Sequence, residues 1–536
     1  MRLSLLALPI VGLLSSFSLA APSGGNSSIA LKSCVQHAFQ TQGGNANQRI
    51  VDPSMDTYTD SRMGEKIQFD EFPALLAYAV NADEVGALVK CAQQSGYKAV
   101  PRTGGHHFLA YSALNNTLVI DIGHINYVKA SNGGSVATVG AGIRLGALYT
   151  ALDAYNTTWI GGICPTVGLS GLVSSGGFNM QMRALGMSSD YVLAAKVVTA
   201  DGSIITASPT SHSDLFWALR GGGGGTYGIL VELTLSLRPL PRSAMVAISW
   251  NDSSVRYDVA KQFLDWAPKS EKEFTSQVNV YKSNVQVLGW YLGKSQQQLQ
   301  SLINSSGLLK IGKPQVQISG NCDTDNSRVF GYTTTECVPD NKVDAAIMNV
   351  VPDPFTQYDN YPQFKYKEVP LSSTRGVAPA WSRFRRLSKS FFLQKSKPLP
   401  DDDLKKVVDM IGQLDDASQV WGEWHAWNLT STIDSAFPWR KEAYAHLEFQ
   451  VHGSNDTATQ TKYENWFANL ESFLRPIVGP ASYSGYMDKG ISTNPFESYY
   501  GSNVCRLVQI KKTYDPNNFF TNPDAIPPTV PQGISC

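Results

Sequence analysis

The run Arg102-Thr103-Gly104-Gly105-His106-His107 sets a cation, two glycines and two imidazoles on a turn that follows "KAVP". Glycine lets a backbone come close to a ligand, and a neutral imidazole offers a nucleophilic nitrogen. Three readings compete locally: a plain turn histidine, a metal site and a ligand cradle. Adjacent histidines make poor co-ligands and no further ligand stands at a suitable spacing, so no metal is expected. A second stretch, "GGICPTVGLSGLVSSGG", places Cys164 between a glycine pair and a proline. It suits neither a packed helix nor a strand and is expected to be irregular backbone, its amides free to donate to phosphate or ring carbonyls. A third, "RGGGGGTYG", contains G-x-G-x-x-G at Gly223, Gly225 and Gly228. A dinucleotide fingerprint needs a strand before it and a helix after it. Here helical "DLFWALR" precedes and strand-like "GILVELTL" follows, which rules out a Rossmann site and leaves close backbone approach.

The elements around these stretches are short. "LLAYAV", "KAVPR", "TLVIDI", "VATVGAG", "AAKVVTADGSIITAS" and "GILVELTLSL" read as strands with turn punctuation. "ADEVGALVKCAQQSG" carries a helical apolar face and a glycine stop, and "RLGALYTALDAYN" is a second helix. Strands alternating with helices predict an α/β or α+β first half. "RPLPRS" marks a boundary near residue 240. Beyond it, strands ("AMVAISW", "VQVLGWYLG", "AYAHLEFQVHG") and amphipathic helices ("DDLKKVVDMIGQL", "TKYENWFANLESFLRPI") continue to about residue 480, before a last helix and a Pro/Asn-rich tail.

With 536 residues, more than one compact domain is expected. Charged residues make up 16% and the formal net charge is zero, so neither nucleic acid nor a polyelectrolyte is an expected partner. Residues 1–20, "MRLSLLALPIVGLLSSFSLA", read as a secretory signal ending in small-x-small. No later stretch has about eighteen uninterrupted apolar residues, so the mature chain is expected to be soluble and secreted, with no membrane partner. Seven cysteines in an oxidising compartment leave one over. Proximity suggests Cys322 with Cys337 and Cys505 with Cys536, while Cys34 with Cys91 would tie down the N-terminal arm; Cys164 remains. Six cysteines allow fifteen connectivities, so this is one pairing among several. Sequons at Asn26, Asn115, Asn156, Asn251, Asn304, Asn428 and Asn455 agree with secretion.

Taken together, "PRTGGH", "GGICPTVGLSGLVSSGG", "VVTADGSIITAS", "DLFWALRGGGGGTYGI" and "YYGSNVCRLVQIKKTYDPNNFF" resemble, in order and spacing, the berberine-bridge-enzyme-like oxidases. These belong to the vanillyl-alcohol-oxidase superfamily of FAD enzymes. The resemblance covers almost the whole mature chain and looks nearest to secreted oligosaccharide oxidases. It implies an α+β fold: a two-part PCMH-type FAD-binding domain, plus a substrate domain with a large antiparallel sheet flanked by helices. The implied boundaries are 1–20 signal, 21–66 arm and start of the FAD domain, 67–242 FAD domain, 243–488 substrate domain, and 489–536 returning to the FAD domain. It further implies a doubly covalent FAD, with His106 bonded to the 8α-methyl and Cys164 to ring carbon six. Two anchors make the ring more electron-poor and hydride acceptance easier. Further cofactor contacts are expected from Arg102, Thr103, Gly104 and Gly105 in the first motif. Gly168, Gly171 and Gly176 are expected to contribute from the second, with Gly228 and Asn503 beyond.

Oxidising an alcohol by hydride transfer needs a base for the hydroxyl proton. In the oligosaccharide oxidases a tyrosine of a Y-x-N-Y-x-D pattern serves, and "YSGYMD" resembles it, putting Tyr486 in the base position and Tyr483 against substrate. A tyrosine titrates near 10 and needs help; "VWGEWHAW" resembles the strand bearing an acidic partner, which points to Glu423. The pattern's Asn is Gly485 here, a substrate-side tyrosine is Phe108, and a histidine is Leu172, all of which make the pocket look more apolar and aromatic. The expected activity is oxidation of an oligosaccharide anomeric hydroxyl to a lactone, with O2 reduced to H2O2, by a monomer. The alternative is dehydrogenation or cyclisation of an apolar natural product.

Overall fold

A computed structural model describes residues 26–153, 155–164, 166–239, 242–323, 385–429 and 432–536. The expected signal segment and Cys337 lie outside the described residues.

Residues all buried along "LLAY" and "TLVID" require cover on both faces, which parallel sheets have. Accordingly β2 (Leu75–Tyr78), β3 (Lys98–Arg102) and β4 (Thr117–Asp121) run parallel, with β1 (Ile50–Val51) antiparallel on the edge, in the order β1-β2-β4-β3. The crossover from β2 to β3 is the helix Ala82–Gln94. Its N-cap Asn81 side chain accepts from the Glu84 amide at 2.8 Å, and Glu84 holds Arg49 through both carboxylate oxygens.

A second sheet is antiparallel throughout. It contains β5 (Val128–Ser131), β6 (Val136–Gly140), β8 (Val192–Val198), β9 (Ile204–Ala207) and β10 (Ile229–Ser236), ordered β5-β6-β10-β8-β9. The two-residue strands β7 (Thr157–Thr158) and β11 (Arg238–Pro239) pair beside it. The glycine-rich loop Gly221–Gly228 leads from the helix Ser213–Ala218 into β10, the reverse of the Rossmann order, as expected.

The third sheet has seven antiparallel strands: β12 (Arg242–Trp250), β13 (Phe274–Tyr281), β14 (Val285–Leu292), β15 (Gln315–Asp323), β16 (Arg386–Gln394), β17 (Trp421–Ala426) and β18 (Ala443–His452). Their order is β15-β12-β14-β13-β17-β18-β16. Side chains alternate between its faces. Val278, Val280, Trp424, Leu447 and Phe449 form one core with Phe263, Val407 and Leu470 of the helices Arg256–Trp266, Asp401–Ile411 and Thr457–Val478. The opposite face presents Gln277, Asn279, Glu423, Glu448 and Gln450 to a cavity shared with the first two sheets.

Buried polar struts hold this sheet in place. The Arg183 guanidinium donates to the carbonyls of Trp427, Pro268 and Ser270, at 2.9–3.0 Å. The helix Val504–Tyr514 returns to the core of the first two sheets through Val504, Leu507, Val508 and Ile510. Its fully buried Lys511 spends three donors on Asp515 and the carbonyls of Thr226 and Phe520, each at 2.6 Å, pinning the glycine-rich loop. Disulfides join Cys34 to Cys91 and Cys505 to Cys536, as expected, and Cys164 is in neither. Among the described residues no helix is long and apolar enough to cross a membrane.

One local expectation is corrected. Leu169–Ser174, within the stretch read as irregular, is a six-residue helix starting after Gly168. Its apolar Leu169 and Val173 are four apart and both buried, and that spacing is enough to seat one helical turn and a half.

Candidate active site

The two first motifs lock together backbone against backbone. A Cβ on Gly104 would lie 2.5 Å from the Gly168 amide nitrogen, and a Cβ on Gly168 would lie 2.6 Å from that of Gly104. Only glycine permits this approach. It brings His106 and Cys164 to one cavity of about 830 Å³. Thr103, Gly104, Gly105, Gly168, Gly171 and Gly228 line the same cavity, as do Tyr483, Tyr486 and Glu423. The loop Gly223–Gly225 and Tyr227 form another part of its wall. The buried Tyr227 hydroxyl has no hydrogen-bond partner among the described residues.

Three expected cofactor contacts are not brought to the cavity lining. Arg102 is buried in its own network, with Asp121 at 2.6 Å and the Ser61 carbonyl at 2.7 Å. Asn503 donates its side-chain amide to the Ala436 carbonyl at 3.0 Å. Gly176 makes room for the Phe437 ring, 3.1 Å from where a Cβ would sit. All three serve the frame around the site.

The two histidines have different surroundings. His107 stacks on Tyr111 at 4.7 Å, its Nδ1 accepts the Leu109 amide, and burial lowers it to about 4. His106 stands between Glu65, 3.1 Å from Nδ1, and the Thr166 hydroxyl, 3.0 Å from Nε2. Burial lowers its pKa and outweighs the opposing Glu65 charge, so the ring is neutral and fit to act as a nucleophile.

Opposite lies the polar face of the third sheet and the short 3₁₀ turn Ser484–Tyr486. The Tyr486 ring packs on Phe108 (5.1 Å), Tyr483 (4.9 Å) and His446 (5.7 Å). Gly485 departs from the motif for a visible reason: a Cβ there would meet the Tyr483 ring at 2.4 Å. Tyr483 accepts from the Phe178 amide at 3.3 Å, and burial pushes it up to about 12. Asp488, the motif's acid, bonds Lys389 at 2.6 Å; Lys389 also meets Glu471, so this acid anchors the loop that carries Tyr486.

Electrostatics set the protonation states. Burial, then Glu448 and Glu423, push Tyr486 well above 10, so it is a neutral phenol. Burial would raise Glu423, but its 3.1 Å contact with His425 Nε2 and the charge there outweigh that and hold it ionised. Glu448, directly across the β17/β18 ladder from Glu423, was not anticipated from sequence. Burial and the Glu423 charge push it up to about 8, against a 2.9 Å bond from Ser388. The signal for it lay in "AHLEFQVH", whose period-2 alternation puts His446, Glu448 and Gln450 on one face.

The residues fit FAD: a glycine-walled cavity that His106 and Cys164 line together with the polar face of the third sheet. Comparison with known proteins agrees. The FAD binding domain family matches residues 73–208, and the berberine and berberine-like family matches residues 482–527. The FAD-linked oxidoreductase pynB of Aspergillus niger is 64% identical over 525 residues, 97% of each chain. The FAD-linked oxidoreductase pytB of Aspergillus terreus is 60% identical over 90% of this chain, which spans 60% of that relative's length. A chitooligosaccharide oxidase of Gibberella zeae is 28% identical over 85% of this chain and 87% of its own. The solved structure of Physcomitrella patens BBE-like 1 superposes with a TM-score of 0.75 over 93% of this chain and 99% of its own, at 24% identity, a likeness of fold. The expected α+β architecture is therefore the observed one, and this chain belongs to the berberine-bridge-enzyme-like family of FAD-linked oxidoreductases.

Proposed function

We propose that this oxidoreductase dehydrogenates a CH–OH group of a small, largely apolar molecule, with FAD held through both His106 and Cys164. FAD, when bound, accepts the hydride. The observation that carries the substrate class is the aromatic wall: Phe108, Tyr486, Tyr483 and Phe178 surround the space facing His106 and Cys164. Such rings favour a flat, apolar substrate.

This chain's residues handle the proton. Tyr486, kept neutral, passes its phenolic proton toward the ionised Glu423 as its oxygen takes the substrate hydroxyl proton. Glu448 stays protonated at neutral pH and limits the negative charge beside Tyr486. We assign dioxygen as the final acceptor, giving H2O2.

A second reading is oxidation of an oligosaccharide anomeric hydroxyl. It is favoured by the polar sheet face, where Gln277, Asn279 and Gln450 stand near Trp421. These can bond sugar hydroxyls while the indole stacks on a ring. We also propose secretion, supported by the reading of residues 1–20, two disulfides, and the exposed sequons at Asn115, Asn156, Asn251, Asn304 and Asn455. We propose the division into a FAD domain (its arm and start in 21–66, then 67–242, with 489–536 returning to it) and a substrate domain (243–488).

The test is anaerobic mixing of holoprotein with aryl and allylic alcohols, and separately with cello-, chito- and xylo-oligosaccharides, while following flavin absorbance. Bleaching by the apolar alcohols alone is expected, with H2O2 on readmitting air. Bleaching by sugars alone would replace this reading with the second.

A further inference from the structure

We propose that Glu65 takes the imidazole proton when His106 bonds to the flavin, making it the proton-accepting partner for cofactor attachment. This rests on the covalent reading of His106 above.

Glu65 lies between the helix Tyr58–Arg62 and β2, in a region to which no chemistry attached in the sequence. Its Oε2 is 3.1 Å from His106 Nδ1 and 2.6 Å from Lys66 Nζ. An ionised carboxylate only accepts, so the ring proton sits on Nδ1, and Nε2 accepts from the Thr166 hydroxyl at 3.0 Å. Glu65 is ionised: burial opposes this, but the hydrogen bond from His106 and the Lys66 ammonium hold the carboxyl below its usual range. The segment is seated on the turn itself. The Glu65 amide donates to the Gly105 carbonyl at 3.0 Å, and a Cβ on Gly64 would lie 2.6 Å from that oxygen. Lys66 is fixed in turn, its ammonium 4.5 Å from the Phe108 ring centroid. The proton route to Glu65 is thus held by backbone contacts of the chain itself.

The balance of the step is closed. A C–N bond forms between the imidazole and the flavin 8α-carbon as one methyl hydrogen leaves as a proton. The imidazole N–H proton passes to Glu65. The electron pair of the broken C–H bond reduces the flavin, and dioxygen reoxidises it, leaving as H2O2. Whichever ring nitrogen forms the bond, the proton that must leave is the one Glu65 holds. Glu65 is separate from Glu423 and Glu448, which serve substrate from the opposite wall.

The test uses full-length protein in a Cys164→Ala background, so that only the His106 bond is read. Glu65, Glu65→Gln and Glu65→Asp forms are incubated with FAD, and acid-stable flavin is followed by in-gel fluorescence and intact mass. Non-covalent FAD affinity and thermal unfolding are measured in parallel. The Gln form is expected to bind FAD with parent affinity and attach it on the order of 10²-fold more slowly, with the Asp form recovering most of the rate. Attachment at the parent rate in the Gln form would overturn the proposal. So would a loss that merely tracks weaker FAD binding or unfolding. If the Cys164→Ala parent binds FAD yet forms no acid-stable adduct, the covalent reading of His106 fails and the role of Glu65 falls with it.

Discussion

At the scale of single residues, the site is a set of protonation states imposed by burial and neighbours. In the proposed mechanism Tyr486 relays a proton to Glu423, which is held ionised. Replacing Tyr486 with Phe is expected to slow anaerobic flavin reduction by about 10²–10⁴-fold while leaving bound flavin in place. Stopped-flow absorbance reads the first effect and the visible spectrum the second. Glu448 makes a prediction about stability. Its folded pKa of about 8 stands above the ordinary 4.5, so the folded state keeps a proton that the unfolded chain releases. That contribution is full below about pH 4.5 and is lost as pH rises through about 8. Glu423, held low, works the opposite way, its contribution fading as pH falls. The groups facing Glu448 are Glu423 from β17, Ser388 and Arg386 from β16, and Lys66. Glu448→Gln is therefore expected to flatten the fall in Tm as pH rises between about 4.5 and 8. Parallel wild-type and variant curves would contradict this.

At the scale of elements, two turns pressed together build the site. Gly168→Ala would drive a Cβ into the Gly104 amide and the Thr103 side chain, at 2.6 Å. It is expected to cost about 1–3 kcal/mol and to reduce bound flavin, read by thermal unfolding and by flavin content per chain. The glycine clusters announced close backbone approach in the sequence, though not that the two turns would press against each other. The strands were legible from their alternation. Glu448 was not, because its meaning depends on the β17/β18 register, which sets it against Glu423. Nor was Glu65, which gains its place only when the segment before β2 folds onto the turn. Arg102, Gly176 and Asn503 stand inside the motifs but make frame contacts here, a placement that spacing alone does not reveal.

At the scale of the molecule, one cavity is closed by parts distant in sequence. Arg183 ties the third sheet down through carbonyls, Lys511 fixes the glycine-rich loop from the C-terminal helix, and Lys389 anchors the Tyr486 loop through Asp488. The two halves thus present His106, Cys164, Tyr486 and Glu423 to the same space. The central claim is that both nucleophiles hold the flavin, and the most direct measurement is the absorption spectrum of acid-precipitated, washed protein. Wild type, His106→Ala and Cys164→Ala are each expected to keep yellow flavin in the pellet, and only the double variant to release it to the supernatant. A colourless wild-type pellet with all flavin in the supernatant would contradict the claim.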